Sequence, residues 1–273
     1  MEKIEGPGGI ECYEISHESG AKLIVARHGG HAISWKTADG AEQLYLSPLA
    51  DYAPEKAIRG GVPVIFPQFS DHGPFGRHGF ARKSEWDPVP GENSFALATS
   101  LTSREAWPYE FSLNLSFALS DDSLAMSLTV ENPGDAAFEF HAALHTYLKV
   151  DEVSSTKVLG LEESLFLNEV TGETEAGPDE PISFGTEIDR AYFDAGDKAV
   201  GLVQDNSSIL IEAETFPDIV VWNPGPNHGL GDLPEDGWEK FVCIESAQTE
   251  TRHVLAPGES WTGKQILTIS SAL

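Results

Sequence analysis

The stretch Phe111-Ser112-Leu113-Asn114-Leu115-Ser116-Phe117-Ala118-Leu119 decides the fold. Apolar side chains fall on alternate positions, with small or polar ones between them. Successive side chains of a strand point to opposite faces, so a period of two marks a strand with one face buried and one wet. Past Ser120-Asp121-Asp122-Ser123 the alternation resumes at Leu124, Met126, Leu128 and Val130. The two runs read as a β-hairpin closed by a polar turn.

The same period spreads outward in both directions. Leu23-Ile24-Val25-Ala26 and Ala32-Ile33-Ser34-Trp35 flank His28-Gly29-Gly30-His31, a second hairpin in which both histidines read as turn residues. Phe138 to Val150 reads as one strand, and Val200–Val203 and Ile209–Ala213 flank the polar turn 204–208. Phe241–Ser246 and Gln265–Ser270 complete the set. No amphipathic helix of ten residues, linker or internal repeat interrupts them. The expectation is an all-β chain, a single domain over residues 1–273, built from large antiparallel sheets as a sandwich or a closed form.

Composition narrows the function classes. Seventeen Lys and Arg stand against 44 Asp and Glu, a net charge of −27. Nucleic acids and anionic membrane surfaces are poor partners for such a chain, because both are held by clustered cations. Two cysteines, Cys12 and Cys243, make no disulfide framework and no CxxC pair, which suits a reducing compartment. Met1 to Ile10 lacks a basic segment followed by an apolar run, so no signal peptide is expected, and no apolar run approaches membrane-spanning length. The cytoplasm is the expected location, or an organelle if a transit peptide is removed.

Two segments break the alternation. Trp222 to Trp238 carries Pro224, Pro226 and Pro234. Ala57 to Arg82 is rich in Gly and Pro, and its neighbourhood from Lys56 to Lys83 holds Lys56, Arg59, Arg77, Arg82 and Lys83 against Asp71 alone. A local excess of cations in so acidic a chain points to an anion site, since a planar guanidinium matches phosphate oxygens. On the strand from Phe138, His141, Ala143, His145 and Tyr147 share one face. His141 and His145 would lie ~13 Å apart there, too far to share a metal ion. Glu245 ends an apolar strand and, if buried, becomes a proton-transfer group; the plain alternative is an exposed strand end. Asp189 and Arg190 read equally well as a loop ion pair. The GxSxG, P-loop and GxGxxG patterns are absent. The residues alone support a cleft enzyme or binder with Arg, His and carboxylate groups, acting on a small polar anion.

In order along the chain, Ile58-Arg59-Gly60-Gly61-Val62-Pro63, Phe66-Pro67-Gln68-Phe69 and His78-Gly79-Phe80-Ala81-Arg82 resemble the signature of the glucose-6-phosphate 1-epimerases, in the aldose 1-epimerase superfamily. His145-Thr146-Tyr147-Leu148, Asp189-Arg190-Ala191-Tyr192, Val221-Trp222-Asn223-Pro224, Cys243-Ile244-Glu245 and Pro257-Gly258-Glu259-Ser260-Trp261 follow in the family's order, so the likeness spans roughly residues 20–270. It implies a β-supersandwich with the sugar in a cleft on a concave sheet face. It further implies Glu245 as general base, His145 as general acid and His78 as support for the anomeric centre. Asp189 and Gln68 would bind the sugar, and Arg59 and Arg82 would hold a 6-phosphate. Acid/base ring opening of a hexose 6-phosphate needs no cofactor and no metal, and a monomer, or at most a weak dimer, is expected. Two departures stand out: Ser246-Ala247 follows the glutamate where the family often has Pro-Gly, and Gly225-Pro226-Asn227-His228 follows Asn223-Pro224 where an aromatic is usual. The competing readings are a mutarotase for free aldoses, which does not require Arg59 and Arg82, and a sugar-phosphate sensor, which does not require a matched acid and base. A glycosidase is disfavoured, because a His–Glu couple is not a carboxylate pair.

Overall fold

The computed structural model describes residues 1–98, 107–205 and 207–270; Asn206, in the expected turn 204–208, lies outside them. Three antiparallel sheets form. The smallest contains β1 (Glu2–Glu5), β2 (Glu11–Ser16), β3 (Lys22–Ala26) and β4 (His31–Lys36) in sequential order. A nine-stranded back sheet runs β15 (Ile182–Ser183), β12 (Lys157–Leu159), β17 (Val200–Val203), β18 (Ser208–Glu214), β21 (Ser260–Ser270), β9 (Ser123–Glu131), β8 (Ser112–Leu119), β7 (Ser94–Ala98) and β6 (Asp87–Pro88). An eight-stranded front sheet runs β14 (Glu173–Ala176), β13 (Leu165–Asn168), β16 (Ile188–Tyr192), β19 (Asp218–Asn223), β20 (Phe241–Leu255), β10 (Phe138–Leu144) and β5 (Val64–Ile65), with β11 (Tyr147–Lys149) also paired to β20.

The opening hairpin forms as its alternation requires. Leu113 pairs with Val130, Leu115 with Leu128 and Phe117 with Met126. All six are buried, while Ser112, Asn114 and Ser116 on the other face are partly exposed. In the turn, the Ser120 hydroxyl accepts the backbone N–H groups of Asp122 and Ser123. The inward face of this sheet meets Phe138, Phe140, Ala142, Leu144, Ile219, Val221 and Ile244 of the front sheet in one continuous core. Phe140 meets Trp261 edge-on across it, with ring centroids 5.5 Å apart.

Three expectations change. The run from Phe138 to Val150 is two strands, because the chain kinks at His145–Thr146. Thr146 N–H turns back to the Leu144 carbonyl (3.1 Å), while His145 and Tyr147 give their N–H groups to Pro63 (3.1 Å) and Gly61 (2.9 Å). The strand expected to stop at Ser246 continues to Leu255, where its polar outer half pairs with the start of β10. Asp189-Arg190, open to a reading as a loop, lies inside β16.

Candidate active site

The front sheet buries one face against the core and turns the other to a cavity of about 450 Å³. Register assembles that face rung by rung. Asp189 pairs with Trp222, Trp222 with Cys243 and Cys243 with Tyr147. On the next rung Ala191 pairs with Val220 and Val220 with Glu245. The pairings of Leu144 with Ser246 and Tyr147 with Cys243 then set His145 opposite Glu245. Period two does the rest: Ile244 and Ser246 point into the core, Glu245 into the cavity.

His145 Nε2 lies 3.2 Å from Glu245 Oε1, and both side chains are almost fully buried. Burial drives the Glu245 carboxyl far above the usual carboxylate range, with the Asp189 carboxylate adding to the effect. Burial also drives the His145 imidazole well below its ordinary value, helped by the Arg82 and Arg59 charges. The pair therefore titrates as a unit, and its singly protonated form combines one acid with one base. Glu245 Oε2 and His145 Nδ1 have no hydrogen-bond partner among the described residues. Tyr147 stacks on the imidazole with ring centroids 5.0 Å apart, and Trp222 packs edge-on against it.

The loop that follows β5 brings His78 beside this pair, 5.6 Å from His145 between ring centroids. His78 has φ +63°, a conformation rare outside glycine, and Gly79 follows at +68°. A Cβ on Gly79 would stand 2.2 Å from the Phe66 carbonyl oxygen, so glycine is required there. Ser70 N–H donates to His78 Nδ1, which fixes the tautomer: the proton is on Nε2. Burial and the Arg82 charge hold this imidazole well below its ordinary value, so it is a neutral donor.

Arg59, Arg77 and Arg82 line the cavity. Arg59 is held by Asp232 (Nε to Oδ1, 3.1 Å) and by the Tyr147 hydroxyl (3.0 Å). Arg82 donates to the Arg77 carbonyl, and its buried Nε has no partner among the described residues. Burial and the Arg59 and Arg77 charges bring the Arg82 guanidinium down to about 10. Glu169, Glu187 and Asp189 line the same cavity. Asp189 is pushed up to about 7 by burial and then by the Glu169 carboxylate.

Six of the seven residues singled out from sequence thus converge: His145, Glu245, His78, Arg59, Arg82 and Asp189. Gln68 does not. It is buried behind the wall, where its amide donates to the Ser70 and Gly76 carbonyls and its oxygen accepts from Phe75 N–H. Every polar atom of the side chain is spent on holding the loop, so the structure corrects its expected place in the sugar site. Sequence reasoning gave no role to Arg77, Glu169, Glu187, Trp222 or Asp232. Arg77 was visible in the local cation excess, and Trp222 and Asp232 lie in the Trp222–Trp238 segment that breaks the alternation; Glu169 and Glu187 carry no local signal. Among the described residues no three His, Cys, Asp or Glu side chains converge to hold a metal ion.

The aldose 1-epimerase family profile matches residues 11–268. A Cenchrus ciliaris protein named "Putative glucose-6-phosphate 1-epimerase" is 32% identical, over 96% of this chain and 86% of that protein. An Escherichia coli protein of the same name is 33% identical, over 90% of this chain and 86% of its own length. The crystal structure of a mutarotase so designated from Salmonella typhimurium superposes with a TM-score of 0.86 at 25% identity, covering 99% of this chain and 97% of that one. The fold is the galactose mutarotase-like β-supersandwich.

Proposed function

The chain belongs to the aldose 1-epimerase family, and from that premise we propose that it interconverts the α and β anomers of a hexose 6-phosphate. One observation carries the reading: a buried His–Glu pair shares a single cleft with three guanidiniums. A free aldose has no use for those cations, and a sensor has no use for a coupled acid and base.

In the proposed reaction Glu245 Oε2, the oxygen not engaged by His145, takes the proton of the C1 hydroxyl. His145 gives a proton to the ring oxygen, the C1–O5 bond breaks, and the sugar opens to the aldehyde. Rotation about C1–C2 presents the other carbonyl face, and closure reverses both transfers. His78 Nε2–H supports the oxygen on which charge develops. Asp189 orients sugar hydroxyls, and Arg59, Arg77 and Arg82 receive the phosphate.

NMR magnetisation exchange between the two anomers of glucose 6-phosphate tests the proposal, with free glucose as control and Glu245→Gln alongside. Exchange faster than buffer for the phosphate, and lost in the variant, is expected. Binding with exchange no faster than buffer would replace the proposal with a sensor.

A further inference from the structure

Gln265 stands mid-strand in β21, on the inward face it shares with Trp261 and Leu267, and it is fully buried. Its partners in register are Met126 and Ala213. An amide in such a row is costly unless it is hydrogen-bonded, and a Leu or Met would fill the space without that cost. All of its side-chain bonds cross to the front sheet. Its oxygen accepts from Thr146 Oγ1, and Nε2 donates to the Ile244 carbonyl (3.2 Å) and to Ser246 Oγ (3.0 Å). A flipped amide would set its oxygen against the Ile244 carbonyl, acceptor against acceptor, so only one orientation satisfies the site.

Those three partners bracket the reacting groups. Thr146 follows His145, while Ile244 and Ser246 flank Glu245. They also lie where the sheet is irregular. Ile244 N–H reaches the Thr146 carbonyl (3.1 Å), but Thr146 N–H turns back to Leu144 and returns nothing to Ile244. The Gln265 amide takes the place of that missing ladder bond, and its oxygen anchors the kinked residue itself. The kink turns His145 toward Pro63 and over Glu245, and it is held by the Pro63 and Gly61 carbonyls on one side and by Gln265 on the other.

We propose that Gln265 is a positioning residue: a strut from the back sheet that pins the kink at Thr146 and the strand on both sides of Glu245, fixing the His145–Glu245 geometry. Its effect on turnover rests on the anomer-exchange reading above. Its effect on the pair does not. Ser246, one of the two departures from the family pattern, supplies one arm of the strut.

The test uses the full-length protein and separates hydroxyl from shape. Thr146→Val keeps the shape and loses the donor, Thr146→Ser keeps the donor, and Gln265→Met removes all three bonds. Kinetics on glucose 6-phosphate are read with the imidazole 15N shifts of His145 in the free protein, which report its tautomer and its bond to Glu245. Thr146→Val and Gln265→Met are expected to lower kcat about 10–100-fold with KM within about twofold. Both should move the His145 15N shifts, and Thr146→Ser should track the wild type in each readout. If Gln265→Met does not fold, the Val/Ser comparison decides. Folded Thr146→Val with kcat and His145 shifts unchanged would overturn the proposal, as would a loss confined to KM or shared equally by Thr146→Ser. If the wild type exchanges no anomers, the functional reading fails on its own, and the 15N shifts still decide whether Gln265 positions the pair.

Discussion

Asp189 shows at the scale of one residue how the cleft trades stability for chemistry. Its ordinary value is 3.8 and the fold raises it to about 7, through burial first and then the Glu169 carboxylate. Between those values the folded protein holds a proton that the unfolded chain has released, so stability falls as pH rises through this window. Below it the carboxyl is neutral in both states and the penalty vanishes. The shift corresponds to at most about 4 kcal/mol, and solvent in the open cleft reduces that to about 1–3 kcal/mol. Asp189→Asn removes the charge. The variant is expected to melt above the wild type at pH 8 and level with it near pH 4, while KM for the sugar phosphate rises. Melting curves at the two pH values check this; an equal difference at both would show that the gain comes from packing.

The segment from Lys56 to Lys83 is the element that makes this sheet face into a site. It delivers Arg59, Arg77, His78 and Arg82, and its Gly61 and Pro63 carbonyls take the N–H groups on either side of the kink between β10 and β11. Its cation excess was legible in the sequence because charge needs no partner to be counted. The kink was not: Phe138, Phe140, Ala142, Leu144, Leu148 and Val150 keep a period of two with no Pro or Gly between them, and the break is imposed by carbonyls some eighty residues away in the chain. Gln265 was hidden for a related reason. A glutamine in an alternating strand reads as an outward residue, and only the facing sheet shows that it points in. Gln68 failed in the opposite direction, because a motif position does not reveal whether its amide serves a ligand or its own loop. Arg82→Ala tests the element. Loss of a charged hydrogen bond should reduce kcat/KM for glucose 6-phosphate about 10–100-fold and leave free glucose little changed. Arg82 also lowers both members of the His145–Glu245 pair, so removing it should move both limbs of the kcat–pH profile to higher pH. Equal losses on both sugars, or a profile that does not move, would remove Arg82 from the phosphate site.

At the scale of the whole molecule, the hairpin alternation that decided the sandwich was sufficient because the inward residues it marked are buried, with only the terminal Leu119 partly so. The charge distribution is the feature that sequence and structure read differently. The chain carries a net charge of −27, yet three guanidiniums line its cleft. Among the described residues six other cations sit in largely exposed pairs such as Lys3–Glu11 and Lys240–Glu152, which contribute little stability. Under the proposed function, a doubly charged sugar phosphate would meet a repulsive far field before an attractive near one. Salt separates the two, because the Debye length shrinks from ~30 Å at 0.01 M to ~8 Å at 0.15 M, while charges in a buried cleft are screened far less. Raising KCl across that range should therefore increase kcat/KM for glucose 6-phosphate, by about two- to fivefold, opposite to the fall seen where substrate is steered by the surface field. Stopped-flow or NMR exchange rates at a series of salt concentrations decide it. A fall with salt would mean that the field of Arg59, Arg77 and Arg82 reaches past the cleft mouth and already governs the encounter.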